Sequence, residues 1–129
     1  MLLIGVVLLS FWKSLPPSAF QAWFASYSPL VGGLMLPLGF TAILVTLASL
    51  VACWRSPLER RWLLIAAILA VVVMGTYPLF FEATNAAFVR GGLSDEAVRS
   101  MLDQWTTWHW IRTSLGILGF LSALRALNG

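Results

Sequence analysis

LVGGLMLPLGFTAILVTLASLVACW, residues 30–54, runs for 25 residues without a charged side chain. As a helix rising 1.5 Å per residue it reaches about 38 Å, more than the ~30 Å hydrocarbon core of a bilayer. A second uncharged stretch, WLLIAAILAVVVMGTYPLFF, fills residues 62–81. A third apolar segment, residues 105–125, carries His109 and Arg112 near its start. Each is long enough to span, and together they predict an all-α integral membrane protein.

The composition agrees. Of the 129 residues, 60% are apolar and 10% charged, against the roughly 25% charged residues of a soluble domain. So few polar side chains cannot cover the surface, which makes membrane lipid an expected partner. The length suits one domain, residues 1–129. The net charge of +3 comes from basic residues placed singly or in short groups at the ends of apolar segments. That is the placement of membrane topology signals and not of a nucleic-acid interface, so no nucleic acid is expected.

The first apolar run, residues 1–15, would reach only about 22 Å as a helix. No basic region precedes it and no clear small-x-small site follows, so a short first spanning helix is favoured over a signal peptide. Pro16 and Pro17 suit the opening of the next helix. There Phe20, Trp23, Phe24 and Tyr27 recur at helical spacing, as in an interfacial aromatic helix ending before Pro29. Arg55 to Arg61 read as a tight polar turn. Gly91-Gly92 breaks the chain after the third span, and Ser94 followed by Asp95 and Glu96 reads as the N-cap of a last helix that starts outside the bilayer. The expected fold is a four-helix bundle with a short first helix and a long fourth helix extending out of the bilayer. Gly32, Gly33, Pro37 and Gly39 predict a close approach or a kink in the second span.

The cluster Arg55, Arg60 and Arg61 predicts a cytoplasmic second connection. Both termini are then cytoplasmic, in what reads as a bacterial inner membrane.

Chemistry concentrates in residues 105–113, Trp-Thr-Thr-Trp-His-Trp-Ile-Arg-Thr. Spacings of four and three place Trp105, His109 and Arg112 on one helix face, with Trp108 beside them. A cation inside a span costs several kcal/mol unless it finds a partner or reaches the interface. Glu82, closing the preceding span on the same side, is the expected partner. Pro78, Glu82 and Asn85 recur at four and three, so antiparallel neighbours would set Glu82 and Asn85 opposite His109 and Arg112. Tyr77, Phe81, Trp105 and Trp108 would wall the resulting pocket, the usual form of a small-molecule site. Two blander readings stay open: the aromatics as an interfacial belt, and Glu82–Arg112 as a helix lock.

One cysteine, Cys53, excludes an intrachain disulfide, and one histidine leaves too few ligands for a zinc site, so no metal and no cofactor are predicted. There is no P-loop, dinucleotide fingerprint, GxSxG or Cys-x-x-Cys-His.

At Asn85 and at Trp105, Thr106, Trp108, Arg112 and Thr113 the chain resembles the anthrone-oxygenase-like family of small four-helix membrane proteins. That family carries an asparagine motif after the third helix and a Trp-Thr-x-Trp segment before an Arg-Thr. The likeness runs along nearly the whole chain and includes Leu15-Pro16 after the first helix. Thr84-Asn85 stands where a paired asparagine is common, and His109-Trp110 where Asn-His is common. The resemblance implies cofactor-independent oxidation of an aromatic or quinone-like compound by dioxygen. His109 would be the general base, Arg112 and Asn85 would stabilise an oxyanion, and the aromatics would hold the ring. The competing expectation is a non-enzymatic accessory subunit of a respiratory or photosynthetic complex, or a homo-oligomer. Its aromatic faces would bind lipid, quinone or pigment.

Overall fold

A computed structural model describes residues 1–128. The described residues hold no strand and form four helices. The first, α1 (Ile4–Ser14), is short and opens with a π-helical turn, Ile4–Leu8. The second, α2 (Pro17–Ala52), has 36 residues. The third, α3 (Pro57–Arg90), is continuous but contains a π-helical turn at Tyr77–Phe81. The fourth, α4 (Asp95–Leu127), has 33 residues, about 50 Å of helix. The all-α, four-helix expectation holds, as do the short first helix and the long fourth.

Two boundaries differ from expectation. The aromatic segment before Pro29 is not a separate helix, because α2 runs unbroken through Pro29 and Pro37. Each proline lacks one hydrogen-bond donor, a loss that helices in apolar surroundings tolerate. The polar turn is also shorter than residues 55–61. Pro57 takes the first position of α3, so Glu59 lies in the helix's first turn, where its charge complements the dipole. The last connection is as expected: Gly91 and Gly92 adopt φ of 70° and 73°. Ser94 Oγ accepts a hydrogen bond from the Ala97 N–H at 3.3 Å.

The π turn in α3 follows from Pro78. Proline has no N–H and its ring crowds the carbonyl four residues back, and a wider turn relieves both problems. It also shifts the buried face. Val73 and Thr76 are buried, the next buried position is five residues on at Phe81, and Thr84 and Phe88 follow at three and four.

The chain divides into two compact units. One comprises Met1–Gly33 and Thr76–Thr113. Its core is aromatic: the Trp12 ring lies 5.6 Å from Phe24 and 5.3 Å from Trp105, and Phe20 lies 4.9 Å from Phe88. An exposed ion pair, Lys13–Asp103 at 2.8 Å, joins α1 to α4. The other comprises Leu34–Gly75 and residues 114–128. It packs Leu50, Leu63 and Ala126 with Cys53 and Trp62 against them. Gly39 lies so close to Met74 that a Cβ would overlap its sulfur, whereas Gly32, in the aromatic unit, has open space.

By length and composition α2 and α3 are able to cross a membrane, with mean hydropathies of 2.2 and 2.4 over their most apolar stretches. Residues 105–125 fall within α4, which does not reach that apolarity. Only 6% of the α2 stretch is buried within the protein, so its apolar surface needs cover from elsewhere.

Candidate functional site

His109 is the centre of the site and has 0% of its surface exposed. The Trp105 ring stacks on it at 5.0 Å and 7°. Its two nitrogens face different helices. Nε2 lies 3.0 Å from the Met1 carbonyl, ahead of α1, and Nδ1 lies 3.2 Å from Arg112 Nη2 one turn along α4. A carbonyl only accepts and a guanidinium only donates. Both contacts therefore select one tautomer, with the hydrogen on Nε2 and the lone pair on Nδ1.

Among the described residues Arg112 has no carboxylate partner. Its Cζ sits 3.9 Å from the centroid of the Phe81 ring and 5.8 Å from that of Trp105. Such cation–π contact is worth about 2 kcal/mol when desolvated, less than the cost of an unpaired buried cation. Arg112 Nε is buried with no hydrogen-bond partner among the described residues, as are Thr113 Oγ1 and Trp12 Nε1.

The expected site residues are thus partly assembled. Trp105, His109 and Arg112 come together as the four-and-three spacing predicts, and Phe81 joins them. Asn85 reaches Trp105 instead of Arg112, its Oδ1 accepting the indole N–H at 2.9 Å. Glu82 does not pair with Arg112. It is exposed, and Lys13–Asp103 is the ion pair found among the described residues. The physical reason is the shifted face of α3: once Phe81, Thr84 and Phe88 point inward, Glu82 lies about 100° round the helix and keeps its hydration. Trp108 is 37% exposed and stacks on Phe80 at 5.3 Å. Tyr77 is half-buried within the π turn. Phe81 and His109 both lie against the guanidinium here.

Three participants were not foreseen: the Met1 carbonyl, Gly5 and Trp12. At Gly5 a Cβ would lie 2.9 Å from Trp110 Cζ2 and 3.3 Å from His109 Nε2. Only a glycine lets α1 come this near. A lone glycine in an apolar helix was its signal in the sequence.

The family model described as anthrone oxygenase matches residues 20–122, well over half of the chain. The chain belongs to the anthrone oxygenase family. No curated protein and no solved structure matches it. In this anthrone oxygenase family member the matched region holds Phe81, Asn85, Trp105, His109 and Arg112. Helix α1, which contributes Gly5, lies outside it.

Proposed function

We propose that this member of the anthrone oxygenase family is an integral membrane protein that binds an aromatic, quinone-like molecule at Arg112 and oxidises it with dioxygen. One observation carries this reading: Arg112 is half-buried with no carboxylate against it among the described residues, and its Nε–H is buried and unused. A site of low dielectric that holds an uncompensated cation favours a ligand bearing the missing negative charge.

An anthrone fits. Loss of its ring CH proton to water or hydroxide gives an enolate whose charge rests on oxygen, against Arg112. The enolate carbon gives an electron to dioxygen and forms a C–O bond. Loss of water from the hydroperoxide then leaves the quinone, so one oxygen atom enters the ring carbonyl and the other leaves as water. No cofactor is needed, because the substrate supplies the electrons. Phe81 has to leave the guanidinium for the ligand to enter. The π turn carrying it is the part of α3 whose hydrogen bonding is already non-standard.

The exposed apolar surface of α2, the similar character of α3 and the family membership support membrane insertion. Helices α1 and α4 cross with them, in a bacterial inner membrane, and Arg55, Arg60 and Arg61 hold their turn and both termini in the cytoplasm. The test is oxygen uptake by the purified chain in mild detergent with anthrone or a hydroquinone. Uptake with stoichiometric quinone formation is expected, and its absence with every such substrate overturns the enzymatic reading.

The uncovered apolar surface of α2 also favours a second reading, an accessory subunit seated against a larger complex. Co-migration with that complex on a native gel would support it, and a monodisperse free particle would oppose it.

A further inference from the structure

We infer that His109 is a positioning residue that clamps Arg112, and that α1, outside the family-matched region, sets the clamp. The clamp stands on geometry; what it serves rests on the proposed function above.

Both ring nitrogens of His109 are occupied. The Nε2–H donates to the Met1 carbonyl and Nδ1 accepts from Arg112. The Met1 carbonyl is itself fixed, because it also accepts the Gly5 N–H at 3.0 Å. Gly5 in turn stands against Trp110 and His109 with no room for a side chain. Trp105 closes the imidazole face, and Asn85 holds the Trp105 indole. The ring therefore cannot turn over, and its lone pair stays aimed at the guanidinium.

Arg112 needs such a hold. A free guanidinium on a flexible stem would swing toward the interface to recover hydration. The Nδ1 acceptor takes one N–H and leaves Nε for a ligand, which a carboxylate would not, because it would cancel the charge. A neutral acceptor with a fixed lone pair positions a cation without quenching it. Met1 and Gly5 thereby act on the ligand site through His109.

The test uses the whole chain in detergent micelles. His109 is its only histidine, so 15N-histidine labelling reports one imidazole. The expected spectrum shows the Nε2–H tautomer alone. In Gly5→Leu, checked for helix content by circular dichroism, the Nε2 signal should shift as its donation to the Met1 carbonyl is lost. In Arg112→Met the Nδ1 signal should shift as it loses its donor, while the remaining contact still favours the Nε2–H tautomer. A wild-type ring already averaging between tautomers, or a folded Gly5→Leu variant with unchanged signals, overturns the clamp whether or not the chain has oxygenase activity. The second arm is His109→Gln, which keeps one donor and one acceptor but does not titrate. Its oxygen uptake with anthrone should stay within about threefold of wild type with the same pH profile, while His109→Ala should fall about tenfold or more. A folded His109→Gln as poor as His109→Ala would mean that the ring acts by titrating, as a base. Failure of the proposed function is distinct: wild type then takes up no oxygen, and the tautomer spectrum still decides the clamp.

Discussion

The Arg112 guanidinium lies over the face of Phe81, 3.9 Å from the ring centroid, where a carboxylate would ordinarily stand. Charge and ring hold each other in place, and the charge stays available.

That arrangement stores instability at the site. Replacing a buried, uncompensated charge by an apolar side chain of similar length is often neutral or stabilising. Arg112→Met should therefore melt at or above the wild-type temperature while losing about 10²–10³ in kcat/KM, the usual cost of one oxyanion donor. Thermal unfolding and oxygen uptake on the same preparation check both halves. A clear drop in melting temperature would mean that Arg112 is a structural lock.

Phe81→Leu removes the cation–π face and keeps most of the volume. It should destabilise by about 1–2 kcal/mol in wild type and by less in the Arg112→Met background. A double-mutant cycle by chemical denaturation measures the difference; additivity would show that the two side chains do not interact.

Much of this was legible beforehand. The four-and-three spacing of Trp105, His109 and Arg112 determines a common face on any α-helix, and uncharged runs as long as residues 30–54 leave little choice but helix. Glu82 departs from its expected place because the α-helical period does not continue through Pro78. The π turn there adds a residue to the turn, and Phe81 takes the inward place. The exposed carboxylate then gains more from water than from a buried pair. Met1 is illegible because a backbone carbonyl leaves no mark in a sequence. Gly5 is legible only in part, because a lone glycine in an apolar helix signals close approach but not which helix approaches it.

Glycines separate close approach from open space. Gly5→Ala should cost about 1–3 kcal/mol, since its Cβ meets the Trp110 ring. Gly32→Ala, with nothing within 4 Å, should be neutral or stabilise by up to about 1 kcal/mol. Equal effects in thermal melts would contradict the packing of α1 against α4.

The Lys13–Asp103 bond joins side chains that are 44% and 71% exposed. Asp103→Asn should cost no more than about 1 kcal/mol, and salt should shrink that difference further. A larger loss, insensitive to salt, would show a pair more buried than this one.

Topology can be read with reporters. On the proposed orientation, with the Arg55–Arg61 turn and the C-terminus on the cytoplasmic side, a fluorescent protein fused after Leu127 should glow and alkaline phosphatase fused there should be inactive. The reverse pattern would invert the orientation.

On the proposed reading, Arg112 carries a charge that a ligand's anion completes. A spectral titration of the purified chain with 1,8-dihydroxyanthraquinone, whose phenol absorbs at longer wavelength when ionised, reads this directly. A saturable red shift in wild type, absent from a folded Arg112→Met variant, is the predicted result. The same shift in both proteins, or none in wild type, would contradict it.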